Sequence, residues 1–261
     1  MPWWRRTSGS ARPRLAARHS ASSFHLWWQF PDDPRRAPLV QASAVCEVLV
    51  APAVDSLYFW ALQAGFHDGH DDRGAAHTGL QWNGPDMSRR AVNWGGYRAA
   101  IDGGGEFAGS TSPRRRIDQN GNTVEYPWQP QRQYRFRIAK NPSGGRWQST
   151  VTDVVTGEST LIRELYAPGD YLVSPVVWSE VFAGCDAPSA TVRWSGLEAV
   201  TAAGATVRPT HLSVTYQDAQ NDGCDNTDVG VDDLGVTQTT NTARRVDPGT
   251  ILAVPPRARL L

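Results

Sequence analysis

Apolar and polar residues alternate with a period of two along most of this chain. No window carries an apolar stripe at 3.6-residue spacing beyond a turn or two. A period of two sends alternate side chains to opposite faces of an extended strand, so the pattern suits a β-sheet and not a helix. Phe24, Leu26, Trp28 and Phe30 fall on one face of a first strand, and residues 43–50 form a Val-rich second one. Leu57 to Phe66 is a long aromatic strand. Thr78–Trp82 and Ala91–Tyr97 form a pair around the loop Asn83-Gly84-Pro85-Asp86. Tyr134, Phe136 and Ile138 alternate with Arg135 and Arg137, the pattern of a half-buried strand. Trp147–Val155 and Ser159–Tyr166 read as a hairpin about Thr156-Gly157-Glu158. Strands over 176–182 and 191–194 follow, and Ala203-Gly204 turns residues 196–201 into 205–216.

Ten or so strands with turn residues between them predict an all-β fold. The expected architecture is a two-sheet antiparallel sandwich of jelly-roll or concanavalin-like type, with few or no helices. No repeat of fixed period is present, which excludes propellers and solenoids. The expected organisation is one β-sandwich domain over residues 24–252. A disordered basic tail, residues 1–23, precedes it, and a C-terminal tail, residues 253–261, follows. Residues 102–130, with a Gly run, an Arg triplet and Asn120-Gly121-Asn122, read as a long mobile loop.

The 26 basic and 26 acidic residues cancel, which argues against nucleic acid as a partner. No run of 18 apolar residues exists, so no membrane span is expected. The basic N-terminus lacks an apolar segment of the signal-peptide kind. The default expectation is therefore a cytoplasmic protein, or an extracellular one if the start site is misassigned. Oligomeric state is left open. Cys46 sits in an apolar run and reads as a buried thiol; Cys185 and Cys224 follow glycines and would bridge in an oxidising compartment. The three cysteines form no CxxC pair, which excludes a zinc knuckle.

Three groups of residues are candidates for chemistry. His67, Asp68, His70, Asp71 and Asp72, with His77 after them, bring imidazole and carboxylate close together. They suggest a divalent cation such as calcium, zinc or manganese, with a solvated turn as the alternative. No other cofactor is evident. The acidic stretch Asp218–Asp233 offers hard oxygen ligands but lacks a regular calcium-loop array. The second group is aromatic. Eleven tryptophans are many for 261 residues, and sugars present apolar C–H faces that suit flat rings beside amides. Trp82, Trp94 and Trp128, with Gln81, Asn83 and Asn93, are the expected ligand-binding residues; Tyr97 and Trp178 are further ring candidates, and burial in the core is the alternative for each. The third is Glu180, on a strand in Val177-Trp178-Ser179-Glu180-Val181, the candidate catalytic acid. Acid–base hydrolysis of a glycoside needs two carboxylates about 5–9 Å apart. Gly-x-Ser-x-Gly is absent, so no hydrolase elbow is expected.

Several stretches together resemble a family of uncharacterised bacterial domains. They are Leu57–Gln63, His77–Trp82, Ala91–Tyr97, Pro127-Trp128-Gln129-Pro130 with Tyr134-Arg135, Trp178–Val181 and Gly223–Thr227. The resemblance covers about residues 24–240. It implies a β-sandwich of the concanavalin or jelly-roll kind and an association with extracellular or carbohydrate-related proteins. The leading expectation is a module binding a glycan, a polysaccharide or a similar polar ligand. The alternatives are a carbohydrate-active enzyme, hydrolase or lyase, and a structural or interaction domain without a small ligand.

Overall fold

The computed structural model describes residues 22–31, 37–86, 89–117, 121–141 and 144–255. Among the described residues sixteen strands, numbered in chain order, form the fold, and every pairing between them is antiparallel. Sheet I holds β1 (Ser22–Gln29), β3 (Tyr58–His67), β4 (Asp72–Trp82), β5 (Ala91–Arg98), β6 (Thr123–Glu125), β10 (Tyr171–Val181), β13 (His211–Tyr216) and β16 (Ile251–Ala253). Its order is β16-β13-β1-β10-β3-β4-β5-β6. Sheet II holds β2 (Leu39–Val50), β7 (Gln133–Lys140), β8 (Trp147–Asp153), β9 (Ser159–Leu165), β11 (Thr191–Thr201), β12 (Thr206–Val207), β14 (Asp228–Asp232) and β15 (Gly235–Thr239). Its order is β14-β15-β11-β2-β7-β8-β9, with β12 on β11. The two sheets join at one corner, where Leu39 of β2 pairs with Leu172 of β10. The expected all-β sandwich is therefore the observed fold. Of the tail expected over residues 1–23, residues 1–21 lie outside the described residues, as do residues 256–261, while Ser22 and Ser23 belong to β1; β16 ends at Ala253.

The alternation in the sequence sorts side chains between two environments. Phe24, Leu26 and Trp28 of β1, Trp60 and Leu62 of β3, Leu80 of β4 and Trp94 of β5 point into the space between the sheets. There they meet Ala44 and Cys46 of β2, Phe136 and Ile138 of β7, Trp147 of β8 and Trp194 of β11. Cys46 is the buried free thiol expected from its apolar run. Two polar contacts cross this core. Thr78 and Ser149 share a hydroxyl–hydroxyl hydrogen bond of 2.7 Å. The Gln238 amide oxygen accepts from Ser179 Oγ and Trp194 Nε1, both at 2.9 Å, while its nitrogen donates to the Phe24 carbonyl at 2.8 Å.

Residues 102–130 are not the free loop expected from their composition. Bridges Tyr97–Glu106 and Gly109–Leu165 stitch the segment to its neighbours, Arg116–Val124 closes it on itself, β6 adds a strand, and Phe107 enters the core against Phe66. Cys185 and Cys224 form a disulfide with 5.5 Å between Cα atoms. It pins the turn after β10 to the segment before β14, beside β1, where Cys224 N–H donates to Ser22 Oγ.

Candidate binding face on sheet I

A half-buried antiparallel sheet ordinarily turns a polar face to water. The outer face of sheet I does not follow that rule. Directly paired residues point to the same side of a sheet, so the register defines rows across it. One row runs Ser23, Glu180, Phe59, Gln81, Ala91 and Glu125. The next runs His25, Trp178, Ala61, Gly79, Asn93 and Thr123. A third runs Trp27, Val176, Gln63, His77 and Gly95. Beyond it Gly65, Ala75 and the exposed ring of Tyr97 continue the face.

Phe59, Ala61, Val176 and Trp178 form a buried apolar cluster separate from the main core, with Trp27 packed against it. The rings hold one another at van der Waals range. Trp178 meets Phe59 at 5.2 Å, His77 at 5.6 Å and His25 at 5.9 Å between centroids, and His25 stacks on Trp27 at 5.8 Å. Offset and edge-on arrangements at these distances are the favourable ones for aromatic pairs. Small residues make room for them: Ala61 and Gly79 lie between Trp178 and Asn93 in the central row. Gly79 also lets β3 and β4 approach closely, since a Cβ there would lie 1.8 Å from the Trp60 carbonyl oxygen. In β10 the pairing slips between Val173 and Val176, with Ser174 at φ 47°, a bulge of the kind that bends a strand.

Burial disfavours the charged form of each titratable group on this face. Burial lowers His25 and His77 to about 4, so both imidazoles are uncharged at neutral pH. Burial also pushes the Glu180 carboxyl above the usual carboxylate range. Amides add donors and acceptors. Asn93 Nδ2 donates to Thr123 Oγ1 at 3.0 Å, while Asn93 Oδ1 and Trp178 Nε1 are buried with no partner among the described residues. Buried polar atoms rarely stay unpaired, so the two atoms mark where a ligand or an ordered water belongs.

The ring residues expected to bind ligand divide between the two faces. Trp82, Trp94 and Trp128 lie in the main core, at 4%, 0% and 0% exposure, and are unavailable for stacking. Trp82 and Trp128 donate their indole N–H to the Val54 and Gln81 carbonyls, and Arg90 packs over both rings. Asn83 spends its amide on the Arg89 carbonyl. Gln81 and Asn93 stand on the outer face with Trp178 and Glu180. His25, Trp27, Phe59 and Gln63 belong to the same face and escaped the sequence reading. Their signal was there: the inward set Phe24, Leu26 and Trp28 leaves His25 and Trp27 pointing outward, and a Trp on a supposedly solvated face is unusual.

The loop expected to hold a cation is braced by hydrogen bonds and ion pairs of its own. Hydrogen bonds from the Asp71 and His70 backbone N–H groups, with Arg73 beside them, hold the Asp68 carboxyl well below its usual range. Arg73 binds Asp68 at 2.6 Å and Asp102 at 3.1 Å. His67 Nδ1 accepts from the Gly69 N–H. Asp68 thus acts as the pivot of a turn, and Asp71 and Asp72 are exposed. Among the described residues no three His, Cys, Asp or Glu side chains converge as a ligand set. Of the acidic stretch, Asp218 caps a short 3-10 turn through the Asn221 N–H.

No helix among the described residues is long and apolar enough to cross a membrane. No protein-family description matches the chain, and no curated protein matches it. The β-sandwich implied by the resemblance is present, without a family description to narrow it. Among solved structures the chain is similar to Scytalido-glutamic peptidase bound to a peptide-based transition state analog. The identity is 12% and the TM-score 0.45, over 85% of this chain and 98% of that one. It is also similar to SCP-B, a member of the Eqolisin family of peptidases, in complex with a tripeptide, at 13% identity and TM-score 0.44, over 85% of this chain and 98% of that one. A third is the enzymatically active domain of Bacteriophage CBA120 tailspike protein 2, at 14% identity and TM-score 0.28, over 76% of this chain and 24% of that one. At these values the likeness assigns no residue, substrate or activity to this chain.

Proposed function

We propose that the protein binds a carbohydrate on the outer face of sheet I. The observation that carries this reading is the cluster of Trp27, His25, Trp178, Phe59 and His77 on a face that should be polar. Trp27, half-buried, is the ring open to the apolar C–H face of a sugar, and it packs on Phe59 and Trp178, which are buried at 3% and 6% and form the support beneath it. The amides of Gln63, Gln81 and Asn93 supply paired donors and acceptors for the sugar's hydroxyl groups. Ligand sites of this composition, mostly aromatic with a few placed polar groups, are the common kind. Titrating oligosaccharides while following tryptophan emission tests the reading. A binder should shift the emission of the native chain, and Trp27→Ala should weaken its affinity about tenfold or more. A Trp27→Ala chain that binds as the native one does would refute the assignment of this face.

One observation favours a second reading, an enzyme acting on such a ligand. The carboxyl of Glu180 is biased toward its protonated form by burial, which suits a proton donor. Paired-carboxylate hydrolysis is not supported. The other acid in the Glu180 row is Glu125, four strands away, about 19 Å at 4.8 Å per strand. Glu180 would act as a lone acid. Loss of turnover in Glu180→Gln with binding retained supports this reading; unchanged turnover removes it.

A further inference from the structure

We infer that the ligand taken on this face is an uncharged polysaccharide or its oligomer, an inference that rests on the carbohydrate reading above. The three central rows from β1 to β5 contain no Lys or Arg. Their titratable side chains are His25, His77 and Glu180, and burial drives each of the three toward its neutral form with no charged partner beside it. At the ends of the face three charged groups have partners: Glu106, bridged to Tyr97 and exposed, accepts from the Asn122 amide at 3.5 Å, and the other two are ion-paired. Arg73 is held by Asp68 and Asp102, and Glu125 is held by Arg115 at 2.8 Å.

An ionised ligand group brought against such a surface loses its hydration and meets no counter-charge, and that loss is large unless the group is paired. Uronates and sulfated sugars therefore gain nothing here, and a free amine meets only Glu180, whose charged form burial disfavours. Neutral hydroxyls suit the groups left without a partner among the described residues: the Trp178 indole N–H is a buried donor and the Asn93 amide oxygen a buried acceptor. They stand in the same row three strands apart, about 14 Å, with only Ala61 and Gly79 between them. That spacing asks for a ligand longer than one sugar ring, offering an acceptor at one end and a donor at the other.

The experiment is a binding screen of the full chain, read by tryptophan emission and calorimetry. The neutral probes are glucan, xylan and mannan oligomers; the charged probes are polygalacturonate, alginate, heparin and chitosan. Trp27→Ala and Asn93→Ala report on the face, because Trp27 is half-buried and its removal leaves the main core intact. The expected result is binding of at least one neutral oligomer, with less than a twofold change in Kd between 50 and 500 mM salt, about a tenfold loss in either variant, and no charged probe bound through this face. A charged polymer that binds more tightly than every neutral one, with a steep salt dependence and the same loss in both variants, overturns the inference and leaves the carbohydrate reading standing. No binding by any probe, or binding indifferent to both variants, removes the carbohydrate reading and the inference with it.

Discussion

The indole of Trp178 meets the imidazole of His77 edge-on, at 5.6 Å between centroids, on the side of sheet I that faces away from sheet II. His77 comes from β4 and Trp178 from β10, with β3 between them. The contact therefore arches over the Ala61 position. It explains why a face turned away from the core is apolar, and why an imidazole there is neutral.

The neutral histidines make stability depend on pH. His25 and His77 stand at about 4 in the folded chain against 6.5 for the free side chain. Between those values the unfolded chain binds more protons, so stability is fully present above pH 6.5 and is lost as pH falls toward 4. The two shifts together remove about 4 kcal/mol between pH 7 and pH 5, so the melting temperature should drop by about 10 °C. His77→Phe should flatten that slope. A melting temperature equal at the two pH values would contradict the burial of both rings.

Glu180 has the opposite sign. Its carboxyl is raised in the folded chain, so its ionised form is destabilising at neutral pH and the penalty disappears as pH falls through the folded value. Glu180→Gln should raise the melting temperature at pH 7 by about 2 °C and leave it unchanged at pH 4. A drop at pH 7 would mean that the carboxylate has a favourable partner.

The disulfide closes 39 residues of chain between Cys185 and Cys224. Closing a loop of that length stabilises the fold by about 4 kcal/mol through the unfolded chain. Reduction, or a Cys185→Ala, Cys224→Ala double substitution, should lower the melting temperature by about 10 °C. Adding Cys46→Ala to the double variant should not reproduce a loss of this kind, because that thiol is free. Equal melting with and without reductant would show that the bridge is absent in solution.

Gln238 of sheet II makes three buried hydrogen bonds, two across to Ser179 and the Phe24 carbonyl of sheet I and one within its own sheet to Trp194. Gln238→Leu keeps the volume and leaves two donors and one acceptor buried without partners. Each such orphan costs about 1–3 kcal/mol, so a loss of about 3 kcal/mol is expected in chemical denaturation. A loss below about 1 kcal/mol would mean that water reaches the network.

Most of the strands were legible because alternation is a local property. Phe24, Leu26 and Trp28 announce an inward face without knowledge of the rest of the chain. Which sheet a strand joins, and which neighbours its outward residues meet, depends on pairings between distant segments such as β1 with β10. That is why Trp82, Trp94 and Trp128 stood out as ligand rings in the sequence but lie in the core. One warning was readable: Gln81 and Trp82, like Asn93 and Trp94, are consecutive in a strand and cannot face the same side. Placing Gln81 and Asn93 outward already sends both rings inward. Asp68 looked like a metal ligand because the sequence does not display the two backbone N–H groups and the Arg73 guanidinium that occupy it. Residues 102–130 looked free because their partners, Tyr97 and Leu165, lie outside the segment.

The central claim is that the outer face of sheet I is the binding surface, and side-chain NMR tests it most directly. Adding a neutral oligosaccharide that binds should shift the amide NH2 signals of Gln63, Gln81 and Asn93 and the indole N–H signals of Trp27 and Trp178. The indole signals of Trp94 and Trp128 should stay in place. Shifts confined to Asn83, to residues 67–72 or to sheet II would contradict the account.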